Sequence, residues 1–572
     1  MEHLTRRQLV RQLGVAAAGL ALAACAPIQP PASTQAPAKP AEQKPASAPA
    51  TQKPSDAKPA APAAQPVGGT PAAQPVAQPT VVAKPAADTK PAAGQPKRGG
   101  SLIWGRPHDI LHFDSSQLSA TQDPILFQVW ATLIRLDENV KPQPELAESW
   151  DLATDYKKMQ IKLKKGATFH NGKEITADAV VATIQRYQDA KAAANIRPQI
   201  QRFKEPKAAD RHTVEIAFDE PMATVFDALD LMFIWDPENF DTIKQAPNGS
   251  GPFKLAEWQP GTLTRLVRHD GYYKSGLPYL DEIVVKAFPD FEALLIAAQT
   301  GAVDLANPLR PRDKAQLEGK PGLNVLPGST GTSVFDITIN ASRPPFNDKR
   351  VRQAVSYAMN RQRFVNTYIA GLTEPWSLPW PPNSPAADPK LNQHFTHDPE
   401  RAKRLLAEAG HPNGFETTIL ATRGRPGYAE LAEQLQNDLA QVGIKGRIEL
   451  LEEAAWRPRH IDGDLDLAPH SFGRSIKHPA SMFEQAVVWR TDKNSSSFSH
   501  PEYERLTKLA GTTFDAAKSR EIYDQLNAMI VDEAFTLVVA PDARVWALRD
   551  RVKGHQRNLE DFGLLESTWL DA

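Results

Sequence analysis

Beyond Gly99 the chain sets short runs of alternating apolar and polar residues between longer stretches whose apolar residues recur every three to four positions. Ser101-Leu102-Ile103-Trp104-Gly105 predicts an opening strand, and Met159-Gln160-Ile161-Lys162-Leu163 has the period of two of a half-buried one. Asn171-Gly172 is a hairpin-type turn. Thr176 can cap a helix over Ala177–Tyr187, with Val180, Val181 and Ile184 on its apolar face, and Thr213–Phe218 alternates again. Alternating strands run from Ser250 through Leu266 and over Glu282–Ala287; a helix over Phe291–Thr300 then stops at Gly301. Later, Asp348 can cap one long helix over Lys349–Ala370. Asp398-Pro399 opens another that Gly410 closes, and Ala429–Val442 forms a third that leads into a strand over Lys445–Leu451. Strands alternating with helices predict an α/β body.

The first hundred residues follow different rules. Arg6, Arg7 and Arg11 precede an apolar stretch from Leu13 to Ala24, the order of a secretory signal. Twelve residues of helix reach about 18 Å, against a bilayer core of about 30 Å, so the stretch is read as a cleavable leader. Leu22-Ala23-Ala24-Cys25 resembles a lipobox, which makes Cys25, the only cysteine, the expected lipidation site and the chain's membrane anchor. Thr5–Val10 also resembles a twin-arginine signal, which leaves the export route open between that and the ordinary secretory one. Residues 26–98 hold seventeen prolines among Ala, Gln and Lys, a composition that cannot bury enough apolar surface to fold. They are read as a disordered tether with a reach on the order of 200 Å.

Charge narrows the function of the body. Residues 1–24 carry net +2 and residues 25–98 net +5, which leaves the rest at about −8. An acidic body without a concentrated basic face excludes nucleic acid as a partner. Without a cysteine beyond residue 25 the body has no disulfide, thiolate metal site or cysteine nucleophile.

Six segments, in order, then resemble one family. They are Pro144–Trp150, Phe169–Val180, Gly251-Pro252-Phe253 followed by Trp258, Gly301–Asp304, Pro345–Ala354 and Ala402–Gly410. In this order they are similar to the family 5 solute-binding proteins of bacterial ABC importers, the peptide- and nickel-type group. Asn171 and Tyr273 depart from the family's usual Asp and Trp. The resemblance implies a two-lobed periplasmic-binding-protein fold of class II type, with an extra domain inserted in the N-terminal lobe. The expected parts are a signal peptide (1–24), a lipidated tether (25–98), an N-terminal lobe (99–335) with its insert at about 131–247, a C-terminal lobe (336–528) and a return segment (529–572). It further implies a monomeric, extracytoplasmic binding protein, without a cofactor, that delivers a small solute to a membrane permease and its ATPase.

In peptide-binding members an aspartate in a "W-x-x-D-x-x-D-P" stretch pairs with the peptide ammonium. The corresponding stretch here is Ser471-Phe472-Gly473-Arg474-Ser475-Ile476-Lys477-His478-Pro479, in which both carboxylates are missing. A buried ammonium facing cations lacks its counter-charge, so a free peptide N-terminus fits poorly. Arg423 and Arg425, near the family's carboxylate-binding arginine, suggest with Arg474 a cleft for an anionic or hydroxyl-rich ligand; exposed loop arginines are the alternative. Phe472 and His478 belong to the same stretch, and Arg106 and His108 fall where the N-terminal lobe would meet the ligand. Trp376 and Trp380 are candidate stacking platforms, with core packing as the rival explanation.

Two other functions remain to be weighed. A nickel-chelate binder of the same fold would draw on His470 and His478, or on the His394/His397 pair, but no Cys or tight His/Glu cluster supports direct coordination. A secreted hydrolase would need catalytic signatures, yet the chain has no G-x-S-x-G elbow, no H-E-x-x-H and no phosphate-binding glycine loop.

Overall fold

The computed structural model describes residues 95–116, 123–190, 196–328, 332–473 and 475–571. Cys25, the leader, nearly all of the tether and Arg474 lie outside the described residues.

Local sequence rules account for the individual elements. In the strand Lys158–Leu163, Met159, Ile161 and Leu163 are buried while Lys158 and Lys162 are exposed, the alternation of a sheet with one wet face. The helix Ala177–Gln188 follows Thr176, although the threonine side chain makes no capping hydrogen bond. Asp290 accepts from the Ala293 amide to start the helix Phe291–Thr300, and Gly301 ends it at φ +79°. The expected helix over Lys349–Ala370 is instead two, Lys349–Ala358 and Arg361–Thr367. Asn360 breaks it by accepting from the Arg363 amide and so capping the second helix.

Two large sheets organise the described body. One has seven strands in the order Leu323–Pro327, Val545–Arg549, Leu305–Leu309, Ser101–Arg106, Glu282–Ala287, Leu263–Arg268 and Phe253–Gln259. Its strand Ser101–Arg106 runs parallel to both neighbours, and the other pairings are antiparallel. The second has five strands in the order Lys445–Leu451, Glu416–Thr422, Leu467–Gly473, Ser333–Ile339 and Thr536–Pro541. A smaller sheet of four strands, Ala147–Leu152, Lys158–Leu163, Thr213–Ala217 and Lys204–Asp210, belongs to the insert in the N-terminal lobe. Each large sheet has its own buried core, one around Trp104, Trp130 and Trp235, the other around Phe335, Trp380 and Trp489.

The chain passes between the large sheets twice, between Pro327 and Ser333 and between Pro541 and Val545. The two passages lie side by side: the Gly328 amide donates to Arg544 O (2.7 Å) and the Asp542 amide to Ser333 O (2.8 Å). Paired crossings of this kind are where a rotation of one lobe against the other is absorbed. They also correct two expected boundaries. The C-terminal lobe begins near Ser333, and the return does not start at 529, which falls inside the helix Ala516–Glu533. The strand Thr536–Pro541 still pairs with Ser333–Ile339, so the return begins only at Val545.

Candidate functional site

The region where the lobes meet is built from the end of the strand Ser101–Arg106 on one side and the loop after the strand Glu416–Thr422 on the other. Arg106 is buried at the strand's end, its guanidinium 5.2 Å from the Trp104 ring centre. His108 follows, open to solvent, with the edge of its ring against Phe291 at 5.9 Å. Across from it, Gly427 holds the Arg423–Pro426 loop in place. At φ +85° it sits so close to Tyr368 and Phe335 that a Cβ would come within 2.8 Å of the Tyr368 ring. Arg423 is exposed, and its amide donates to Leu451 O at 3.3 Å.

Arg425 donates from Nε (3.0 Å) and Nη2 (2.8 Å) to Glu453 Oε1. Burial opposes its charge, but Glu453 outweighs burial and holds Arg425 above the ordinary arginine value. Arg457 reaches the same carboxylate oxygen at 4.0 Å, so two guanidiniums share one acid. Partial desolvation, then the fields of Arg106 and Arg425, depress the His108 pKa below its ordinary value. Cations from both lobes therefore act on one imidazole.

A different arrangement holds the C-terminal lobe against the insert. The turn Ser475–Pro479 carries Lys477, whose side chain is fully buried. Its ammonium lies 2.5 Å from Asp230 Oδ2 and 3.2 Å from Glu560 Oε1, carboxylates that both belong to the N-terminal lobe. Asp227 Oδ2, one helical turn before Asp230, accepts from the His478 amide (3.0 Å) and the Ser481 hydroxyl. Burial pushes the Asp227 carboxyl up to about 7, against the opposing pull of Lys477 and Ser481. Glu484, on the helix Pro479–Gln485, accepts from Gln199 (2.8 Å), Thr224 (2.9 Å) and Arg202. Tyr156 of the insert stacks on Phe514 at 4.0 Å.

The residues singled out in the sequence thus separate. Arg106, His108 and Arg425 come together, with Arg423 in the same loop as Arg425. Trp376 and Trp380 are core residues and not stacking platforms: Trp380 is 1% exposed, its indole N–H donates to Asn527 Oδ1 (2.7 Å), and its ring packs on Phe483 and Tyr523. Phe472 is likewise in the core, edge-on to Trp489 at 5.6 Å, because it lies on a central strand of the five-stranded sheet. His478 caps the helix Pro479–Gln485 by accepting from the Ala480 amide (3.3 Å), and burial lowers it to about 4. His470 is bonded to Asp336 (3.1 Å), His394 to the Tyr357 hydroxyl (3.3 Å) and His397 to Ala358 O (3.0 Å).

Asp227, Asp230 and Glu560 were not anticipated. The available signal is the sequence of the helix Val225–Leu231, VFDALDL, where two acids three residues apart interrupt an apolar element.

Comparison with known proteins supplies the context. Residues 141–494 match the family model for bacterial extracellular solute-binding proteins, family 5 Middle. The chain is 27% identical over 447 residues to heme-binding protein A of Haemophilus influenzae, covering 72% of this chain and 81% of that protein. It is 29% identical over 458 residues to the glutathione-binding protein GsiB of Salmonella choleraesuis, covering 76% and 86%. Among solved structures it is similar to the periplasmic binding protein AgaA of A. tumefaciens R10 in complex with agropinic acid, with a TM-score of 0.75 and 27% identity over 83% of this chain and 99% of that one. The oligopeptide-binding protein AppA of Bacillus subtilis, in complex with a nonapeptide, shares the fold at a TM-score of 0.74 and 23% identity, over 84% and 100%.

Proposed function

Because the chain belongs to the family 5 bacterial extracellular solute-binding proteins, we propose that it is the solute-capturing component of an ABC import system. It is anchored through lipid on Cys25, closes its lobes on a small anionic or hydroxyl-rich solute, and passes that solute to a membrane permease driven by a separate ATPase. It acts as a monomer.

The observation that carries the ligand class is the Arg425 guanidinium, held on Glu453 in the loop it shares with the exposed Arg423, with its field reaching the exposed His108 of the other lobe. Burial does most to lower the His108 pKa, and the fields of Arg106 and Arg425 add to it; guanidiniums bind carboxylates in a two-point fork. Arg423 and Arg425 would supply that fork from the C-terminal lobe, and His108, neutral at pH 7, would accept or donate one hydrogen bond to a hydroxyl. A relative at 27% identity, AgaA, is in complex with an acid, agropinic acid, which supports the same class. The stretch that pairs with a peptide ammonium in peptide-binding members carries no carboxylate here, which argues against unblocked peptides.

A thermal-shift screen against organic acids, acidic sugars, unblocked peptides and nickel chelates tests the reading. A solute at 100 times its Kd stabilises by about 2.7 kcal/mol. The expected result is stabilisation by carboxylate-bearing solutes; stabilisation confined to unblocked peptides would overturn it. Cys25→Ala should move the protein from the membrane to the soluble fraction, and persistence at the membrane would refute the anchor.

A further inference from the structure

Two carboxylates are exchanged between the insert and the C-terminal lobe. Asp227 lies on the insert helix Val225–Leu231, yet the groups that donate to its Oδ2, the His478 amide (3.0 Å) and the Ser481 hydroxyl, belong to the C-terminal lobe. Glu484 shares the helix Pro479–Gln485 with Ser481, and the groups that donate to it come from the insert: Gln199 (2.8 Å), Thr224 (2.9 Å) and Arg202 (2.5 Å). Gln485 reaches back to Gln199 Oε1 as well. Gln199, Thr224 and Ser481 are 0% exposed, so these donors are shielded from water while the lobes touch. The contact continues outward through the Ala223 amide, which donates to Gly511 O (3.0 Å), and through Lys508, 3.3 Å from Glu220. Both acids are thus occupied by protein donors from the opposite lobe. A rotation about the paired crossings near Gly328 and Asp542 that parts the insert from the C-terminal lobe would break the set together. Water would then replace each lost donor, so a polar contact of this kind holds the lobes without sealing them as an apolar core would.

We propose that Glu484 and Asp227 form a reciprocal latch that sets how much of the unliganded protein is closed. They are positioning residues for solute capture, acting through the closed fraction. A binding-competent state that is only partly populated weakens the apparent affinity by that fraction, so the latch tunes affinity without choosing the solute. The inference rests on the binding-protein reading above and deepens it, by separating control of affinity from the charge preference of the cleft.

Hydrogen exchange on the full chain, with no solute present, reads the latch directly. In Glu484→Ala the peptides that contain Ala223 and His478, whose amides are bonded across the lobes, should exchange about tenfold faster than in the wild type. Peptides from the interior strands Ser101–Arg106 and Ser333–Ile339 should keep the wild-type rate. Arg202→Ala removes the partner from the other side and should give the same pattern, which keeps the test available if Glu484→Ala does not fold. The double variant should exceed either single one by no more than about twofold, because the two changes break one contact. Glu484→Gln keeps an acceptor oxygen and should fall between the wild type and Glu484→Ala. Faster exchange spread over both large sheets, faster exchange in the C-terminal lobe that leaves Ala223 untouched, or unchanged rates would each overturn the proposal. Lost packing or lost global stability has no reason to single out amides bonded across the lobes. Any organic acid or acidic sugar that stabilises the wild type should bind Glu484→Ala more weakly, with the rank order of the panel unchanged; a new rank order would make Glu484 a solute contact and refute the latch. Unchanged exchange would leave the anionic-solute reading standing, and a failed solute screen would leave the exchange result standing.

Discussion

Lys477, Asp230 and Glu560 on one hand, and Arg106, His108 and Arg425 on the other, are two charged groups placed where the lobes meet. In the first, a cation from one lobe meets two acids from the other at 2.5 and 3.2 Å, out of contact with water. In the second, Arg425 shares Glu453 with Arg457, and its field adds to that of Arg106 at His108. The first region balances its charge with the protein's own groups and so contributes to holding the lobes together. The second brings Arg423, Arg425 and His108 to the face of the cleft, with Arg425 tied to Glu453 and Arg106 buried behind. The contrast separates residues that hold the lobes together from residues proposed to select what lies between them.

Four substitutions test that separation. Lys477→Ala removes a fully buried ammonium from Asp230 and Glu560 and should cost about 3–5 kcal/mol, read from urea denaturation. If it costs no more than a surface pair, the first region is not a structural tie. Arg425→Ala removes a guanidinium whose side chain is 37% exposed. Its effect on stability should stay within about 1 kcal/mol. Solute affinity should fall further, by about 1.5–3 kcal/mol, the value of a hydrogen bond to a charged group, measured by calorimetric titration. Equal losses in both quantities would erase the distinction between the regions.

The third substitution concerns pH. Asp227, raised to about 7 in the folded protein, holds a proton that the unfolded chain releases near its ordinary value. Its stabilising contribution is therefore present below about pH 4 and is lost as pH rises through 7. His478, lowered to about 4, behaves in the opposite sense: its contribution is present above its ordinary value and is lost as pH falls through 4. The two slopes offset one another in the wild type. Asp227→Asn should expose the His478 slope, so that this variant gains about 1 kcal/mol per pH unit as pH rises from 4 to 6.5. A stability profile parallel to that of the wild type would remove Asp227 from the interface account. The smallest effect is expected in the core. Trp380→Phe loses the bond to Asn527 and should cost about 1 kcal/mol without changing solute affinity. A change in affinity would return Trp380 to the cleft.

What the sequence made legible was whatever short-range chemistry decides. The alternation over Met159–Leu163, the Asp290 cap with its Gly301 stop, and the order of the family segments all survive in the structure. The break at Asn360 was missed because a side-chain cap competed there with an otherwise continuous helical pattern. The return boundary was missed because Thr536–Pro541 is assigned by its pairing with Ser333–Ile339, some two hundred residues away, which no local pattern encodes. The site divides in the same way. Arg425 was singled out near the family's carboxylate-binding arginine and His108 at the end of the first strand, and the field of Arg425 reaches His108. The role of Lys477 depends on carboxylates 247 and 83 residues away along the chain, visible beforehand only as acids interrupting an apolar helix and as one glutamate near the C-terminus. Trp380 was drawn into the candidate cleft by residue type and Phe472 by its place in the Ser471–Pro479 stretch, and burial in the core reassigns both.

The most direct test measures Tm for the wild type, Arg425→Ala and Lys477→Ala, each with and without one panel of carboxylate-bearing solutes and unblocked peptides. The account predicts that a carboxylate-bearing solute raises the wild-type Tm. Arg425→Ala should abolish that rise while leaving the unliganded Tm nearly unchanged, and Lys477→Ala should lower the unliganded Tm. A rise produced only by unblocked peptides, and retained in Arg425→Ala, would contradict it.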